Sequence, residues 1–130
     1  MMTQTIETTL TQDPEFVRLP SEEQIARTVQ ALESNKFKVQ VANNGEEARK
    51  MFFELLPEGA NIHMGASKTL EMIGVTEVVE QSGKYNAIRP KLRAMDRKTQ
   101  GDEIRRLGAS PDYMAGSVQA LTEDGHALIA

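Results

Sequence analysis

The sequence predicts an α/β domain built around a parallel sheet, with a β-hairpin near its carboxyl end. Residues 61–64 form a short, mostly apolar segment that runs into Gly65 and then into a helix start, as at the strand–helix junctions of open α/β sheets. Helical stripes of apolar residues precede and follow this segment. Asp124-Gly125 stands between two apolar runs, and this arrangement is a strong indication of a hairpin.

The composition is that of one globular domain. The chain has 130 residues, of which 39% are hydrophobic and 26% charged. No apolar run approaches the roughly 20 residues of a membrane span, and the polar start lacks the basic and apolar regions of a signal peptide. The absence of cysteine excludes disulfides, thiolate zinc and a cysteine-ligated iron–sulfur cluster within this chain, and it fits a cytoplasmic location.

Charge and histidine content narrow the expected partners further. The net charge of -4 argues against bulk binding to nucleic acid. The two histidines, His63 and His126, are too few for a multi-histidine metal site. We therefore expect no resident metal, no cofactor, no nucleic-acid partner and no membrane association.

The first forty residues predict a tail, a helix and a strand. Residues 1–20 are rich in Thr and Gln, lack a clear periodicity and are expected to form a flexible tail. Ser21 and Gln24 have the spacing of a capping box, so a helix should begin there and end near Asn35. Residues 37–41 alternate apolar and polar side chains, and this pattern predicts a strand with one buried face.

A second helix should follow the turn at residues 43–45 and end at Pro57. Acidic residues suit its first turn because they oppose the helix dipole. Its expected core-facing stripe consists of Ala48, Met51, Phe52 and Leu55.

The chain beyond Gly65 predicts short elements. Two brief helices should follow, the second of them capped by Thr76. A short strand is expected at residues 85–88, then helix with a break near Gly101. Residues 112–117 should form a strand before the hairpin.

Basic residues concentrate in one part of the chain. Residues 84–106 carry eight of the fifteen lysines and arginines, while Tyr85 is the only aromatic side chain there, which disfavours RNA binding. The segment is compatible with a solvated helical face or with a rim that collects phosphate or carboxylate groups. The eight basic residues are Lys84, Arg89, Lys91, Arg93, Arg97, Lys98, Arg105 and Arg106.

Two stretches of sequence resemble a known family. Residues 64–74, MGASKTLEMIG, match the signature G-x-S-x-T-L-x-x-x-G of LUD domain proteins, the lactate-utilization family. Residues 110–125 resemble that family's second block, which has an acidic residue, a small-residue step and a hairpin ending in x-D-G or x-E-G. The order and spacing of the two blocks fit, and the resemblance covers residues 21–130, which we expect to form the domain.

The resemblance implies a fold and a pathway. The implied fold is a Rossmann-like parallel sheet of the NagB/RpiA/CoA transferase-like type, with helices on both faces and an antiparallel extension. The implied role is in L-lactate oxidation beside iron–sulfur and flavin-type partner proteins. Family domains continue past the hairpin, whereas this chain stops at Ala130 within an apolar run, so we expect a C-terminally truncated member with an incomplete sheet.

The candidate ligand site joins the two blocks. A carboxylate or phosphate would suit backbone N–H groups, a hydroxyl and a cation meeting at a strand end. Ser67 is expected to cap a helix rather than act as a nucleophile, because no base is identifiable beside it. Lys68 could be an exposed first-turn lysine instead of a ligand group. The predicted site residues are Gly65, Ser67, Lys68, Thr69, Gly116 and Ser117.

Two other positions have alternative interpretations. His63 is expected to be a core or edge histidine, with a general base as the alternative. The turn that contains Glu123 distantly resembles the turn of CoA transferases in which a glutamate is the nucleophile. The simpler interpretation is an exposed glutamate in a hairpin turn. No catalytic residue is therefore assigned.

Two functions follow from these observations. The first is an accessory or catalytic component of L-lactate or 2-hydroxy-acid oxidation that binds a small anionic ligand. The alternative is a non-catalytic module that docks onto an iron–sulfur redox complex through the basic segment. A homo-oligomer is compatible with both. A third expectation is that an incomplete domain lacks activity altogether.

Overall fold

The computed structural model describes residues 13–130, which fall into two compact units. The first contains the described residues up to Lys38 together with Leu121–His126, and the second contains Val39–Ala120 and Ala127–Ala130. The elements in chain order are α1 (Pro14–Val17), α2 (Glu22–Ser34), α3 (Gly45–Leu55), β1 (Asn61–Met64), α4 (Lys68–Met72), α5 (Val75–Gln81), β2 (Asn86–Ala87), α6 (Ile88–Ala94), α7 (Gly101–Gly108), β3 (Tyr113–Ala115), β4 (Ala120–Leu121) and β5 (Ala127–Leu128).

Helix α2 organises the first unit, and its predicted capping box is confirmed. The Ser21 hydroxyl accepts the Gln24 N–H at 3.2 Å, and the Gln24 side chain accepts the Ser21 N–H at 3.0 Å. The hairpin loop packs against the same helix. Gly125 has a φ of 89°, and a Cβ there would lie 2.6 Å from the backbone of Ala31, so glycine is required. The Asn35 amide donates to the Gly125 carbonyl at 2.9 Å.

The amino-terminal prediction lies partly outside the described residues, since residues 1–12 are not described. The single turn α1 was not predicted from sequence. Asp13 caps it by accepting the Glu15 N–H at 3.0 Å, and Pro14 suits the first helical position. The four residues of α1 are all exposed, so packing contributes little to this turn.

The predicted strand at residues 37–41 is wrong. Within the described chain this segment is an irregular connection, with Phe37 48% and Val41 55% exposed. An alternating pattern becomes a strand only where a neighbouring strand pairs with its backbone. No strand of the described residues pairs with residues 37–41, so the alternating pattern does not produce a strand here.

The second unit contains the predicted parallel sheet, with strand order β2-β1-β3. Strand β1 is central and pairs in parallel with both neighbours, Ile62 with Ala87 on one side and Met64 with Ala115 on the other. Ile62 and Met64 are fully buried in a core to which α3, α4 and α5 also contribute. The expected mixed α/β architecture with a parallel sheet is therefore confirmed.

Helices α3 to α5 pack against this sheet, but some of their buried and capping residues differ from the predicted ones. Phe52 packs against the core as expected, but Leu55, the last residue of α3, is exposed, and Leu56 after it is buried in the core instead. Gly74, in the left-handed conformation, precedes α5 in place of the expected cap Thr76. Thr76 lies inside the helix instead. Val75 and Val79 supply the buried face of α5.

The remaining predictions hold with shorter elements. Strand β2 ends at Ala87, where α6 begins, and the helical segment breaks over residues 95–100 before α7. Strand β3 has three residues, and β4 and β5 form the predicted hairpin with two residues each. Among residues 13–130, none of the helices has the length and apolar character that crossing a bilayer requires.

Candidate functional site

Strands β1 and β3 end side by side, and their ends bring together two of the predicted site residues. The Gly65 N–H donates to the Ala115 carbonyl at 2.7 Å. A Cβ at Gly65 would lie 3.3 Å from that carbonyl oxygen and 3.6 Å from the Gly116 Cα. Gly65 therefore serves close backbone approach, as its position in the sequence suggested. Gly116 lies directly beside it.

Of the other predicted residues, Ser67, Lys68 and Thr69 lie at the start of α4, and Ser117 follows β3. Ser67 is 4% exposed, and its hydroxyl accepts the Leu70 N–H at 3.2 Å, which confirms the predicted helix cap. The Lys68 side chain is 83% exposed and lies 4.0 Å from the Glu71 carboxylate. Thr69 and Ser117 are also exposed. Of these four residues, Ser67 therefore caps a helix, and the other three are exposed to solvent.

A cavity of about 490 Å³ adjoins the Gly65 loop, and we call it the arginine cavity. Its backbone wall is residues 63–66, at the carboxyl end of β1. The other wall comes from α6, from the segment that leads into α7 and from α7 itself. The side chains of that wall are Arg89, Leu92, Arg93, Met95, Arg97 and Ile104.

Arg89 joins the two walls of the arginine cavity. Its side chain is 19% exposed, and Nη1 donates to the carbonyl oxygens of Gly65 at 3.2 Å and Met64 at 3.4 Å. Its Nε lies 3.9 Å from a carboxylate oxygen of Glu80, whose side chain is 15% exposed. That oxygen has no hydrogen-bond partner, so the pair is held by charge at this distance. Arg89 thus secures α6 against the end of β1.

Arg93 and Arg97 are the free cations of the arginine cavity. Both residues are exposed, and within residues 13–130 no carboxylate lies at ion-pairing distance from either. No residue that lines the cavity is acidic. A wall of this kind attracts anions, because guanidinium groups bind carboxylate and phosphate through paired hydrogen bonds.

The two histidines have different surroundings. His63 is half-buried on β1 and lines the arginine cavity. His126 is exposed in the hairpin, with Nδ1 3.2 Å from a carboxylate oxygen of Asp124. Hydrogen bonds from Thr122 and His126 lower the pKa of Asp124 below its ordinary value. These contacts lie within the hairpin loop.

Glu123 lies in the turn between β4 and β5. It is exposed, as the hairpin-turn interpretation predicted, and its carboxylate also pairs with Arg27 at 2.8 Å. In the described part of the chain, no three metal-ligating side chains converge.

Sequence reasoning did not include the three cavity arginines among the predicted site residues. The rim interpretation of the basic segment contained them, but so did the alternative of a solvated helical face. The spacing of two of them was an unused signal. Arg89 and Arg93 are four positions apart and lie on one face of α6, whereas Arg97 follows the end of that helix, so this signal does not include it.

The comparison with protein families supports the sequence resemblance. The family model described as LUD domain matches residues 25–130. No curated protein and no solved structure shows significant similarity to the chain. The match covers most of the chain and includes both blocks that carry the resemblance, so the protein belongs to the LUD domain family, a family related to lactate utilization.

Proposed function

We propose that this domain binds a small anionic ligand in the arginine cavity, as a component of L-lactate or related 2-hydroxy-acid utilization. One observation carries the proposal: three arginines and the carboxyl end of β1 line a cavity of about 490 Å³. Ligands of open α/β sheets bind outside the carboxyl ends of strands. A volume of this size accommodates a small organic molecule.

The chemistry of the walls supports an organic anion rather than a bare ion. Arg93 and Arg97 supply positive charge, and Leu92, Met95 and Ile104 supply apolar surface. A carboxylate or phosphate would lie against the guanidinium groups, and the carbon skeleton would lie against the apolar side. The carbonyl oxygens of Met64 and Gly65 at the end of β1 would repel an anion, but both already accept hydrogen bonds from Arg89.

Family membership supports a role in the oxidation of L-lactate, either catalytic or accessory. We assign the fold to the NagB/RpiA/CoA transferase-like type on the same ground, with a central parallel strand flanked by two others as its observed part. The chain has no cysteine to hold an iron–sulfur cluster. Electron transfer would therefore use a partner protein that carries an iron–sulfur or flavin group.

Calorimetric titration of the whole protein tests the proposal. L-lactate, pyruvate, a sugar phosphate and a CoA ester would be titrated separately, and at least one should bind. Arg93→Gln should weaken that binding because it removes a free cation of the cavity wall. Arg106→Gln is the matched control, since Arg106 is exposed on α7 and does not line the cavity. Absence of binding by every anion would overturn the proposal.

A second candidate function is docking onto an iron–sulfur protein. Helix α7 favours it, because Arg105 and Arg106 are exposed in its last turn, with Arg105 paired to Asp102 of the same helix, and Lys98 is exposed just before it. Reversing Arg105 and Arg106 to glutamate should abolish co-purification with such a partner. Anion binding in the arginine cavity should stay unchanged in the same variant. Retained co-purification would reject this candidate.

A further inference from the structure

We infer that the ligand of the arginine cavity carries two negative charges rather than the single charge of lactate. The inference rests on the proposed function and specifies its ligand class. The class is a small organic dianion, whose two sources are phosphate monoesters and dicarboxylates. The argument depends on the charges that line the cavity and on which of them are already compensated.

One of the three cavity arginines is compensated within the protein. Arg89 faces the Glu80 carboxylate at 3.9 Å, and its Nη1 is engaged by two backbone carbonyl oxygens. Both side chains are mostly buried, and burial strengthens the attraction between their charges. Arg89 therefore contributes little net charge to the cavity.

The other two arginines are not compensated. Asp96 is their nearest acidic neighbour in sequence, but it does not line the cavity, and its carboxylate accepts the Lys98 N–H at 2.9 Å. Three guanidinium groups and one carboxylate leave a net charge of +2, with His63 counted as neutral. Arg93 and Arg97 supply this excess.

A dianion matches this excess and a monocarboxylate does not. One carboxylate can neutralise one of the two guanidinium groups and leaves the other facing the ligand's carbon skeleton. A phosphate monoester or a dicarboxylate can accept charge-assisted hydrogen bonds from both. One further hydrogen bond of this type corresponds to a gain in affinity of about tenfold or more.

The apolar wall favours a ligand that has a carbon skeleton. If an inorganic anion were bound, the side chains of Leu92, Met95 and Ile104 would stay in contact with water. A short carbon skeleton attached to the charged groups would cover them. We therefore expect an organic dianion to bind more tightly than inorganic phosphate.

Titration of the full chain with three small anions tests the inference. The probes are L-lactate, malonate and methyl phosphate, measured at a pH of about 8, where a phosphate monoester is doubly ionised because its second pKa is about 6. We expect at least one of the two dianions to bind at least about ten times more tightly than L-lactate. Tighter binding of methyl phosphate assigns the ligand to the phosphate monoesters, and tighter binding of malonate assigns it to the dicarboxylates.

The failures of the two proposals give different results. Binding of L-lactate as tight as that of both dianions would overturn the inference and leave the proposed anion site intact. No binding by any of the three, together with none by the probes of the preceding section, would overturn both.

Matched variants add a second test. Arg93→Gln and Arg97→Gln should each weaken dianion binding about tenfold and lactate binding by less, because lactate can use the remaining guanidinium group. Arg106→Gln should leave both affinities unchanged. Unfolding curves verify that all three variants are folded. An equal loss for dianion and lactate in both cavity variants would contradict the inference.

Discussion

Two groups of polar side chains flank the loop after β1, and they use their hydrogen-bonding capacity differently. On the helix side, Ser67 bonds to a backbone N–H of its own helix and Lys68 lies near Glu71, three residues away. On the cavity side, Arg89 bonds to carbonyl groups 24 and 25 residues away, at Gly65 and Met64. The first group stabilises a helix of five residues, and the second joins two elements around a cavity.

This difference shows how proximity in sequence can mislead the search for a site. Residues that follow a glycine turn are close together in every such turn, so their hydrogen bonds are commonly those of a helix start. Side chains that meet from distant parts of the chain require tertiary packing to hold them together. Convergence of that kind is more specific evidence for a ligand site, and it is present on the cavity side.

Replacing the arginine that joins the two walls should have the largest effect. Arg89→Met should lower the free energy of unfolding by about 2 kcal/mol, because it leaves the Glu80 carboxylate mostly buried and uncompensated. It should also weaken anion binding by about 100-fold as α6 separates from the end of β1. Urea unfolding and calorimetry measure the two effects. Unchanged anion binding in a folded Arg89→Met protein would remove Arg89 from the site.

A glycine pair at the strand ends should give the next largest effect. Gly65→Ala should cost about 1 kcal/mol of stability, because its Cβ would lie 3.3 Å from the Ala115 carbonyl oxygen. Gly116→Ala is the matched control, since its Cβ would lie 3.9 Å from the Gly65 Cα, an ordinary contact. Thermal unfolding compares the two variants. Equal stabilities would mean that the strand ends adjust without strain.

The helix cap should affect stability but not ligand binding. Ser67→Ala should lower the free energy of unfolding by about 1 kcal/mol, because the Leu70 N–H loses its acceptor. Ser67→Thr should retain most of that stability, because threonine also caps helices. Calorimetry should show unchanged anion affinity in Ser67→Ala. A tenfold loss of affinity would instead support the predicted ligand role of Ser67 and weaken the contrast between the two sides.

The exposed lysine should have the smallest effect. Lys68→Ala should change stability by less than about 0.5 kcal/mol, since an exposed ion pair at 4.0 Å contributes little in water. Its anion affinity should match that of the unsubstituted protein. The predicted ligand roles of Lys68 and Thr69 remain predictions until this titration is made. A clear loss of binding in Lys68→Ala would extend the site to the start of α4.

Local features of the fold were predictable from sequence. The capping box at Ser21 and Gln24, the cap at Ser67 and the hairpin turn at Gly125 each depend on residues a few positions apart. Each is formed by hydrogen bonds between residues close in sequence, so the pattern of residue types predicts it, although the Gly125 turn also accepts a bond from the distant Asn35. The alternating segment at residues 37–41 shows the limit of such patterns, because strand formation depends on a neighbour that the segment itself does not specify.

By itself, the sequence determined the strand–turn–helix at residues 61–70, the parallel α/β architecture and membership of the LUD domain family. It also contained the basic segment, without deciding between a solvated face and an anion-collecting rim. Tertiary structure decided which side of the Gly65 loop carries the cavity and which arginines reach it. The physical reason is that the backbone carbonyls of Met64 and Gly65 and the Glu80 carboxylate together hold Arg89, and these groups become neighbours only when α5 and α6 pack against the sheet.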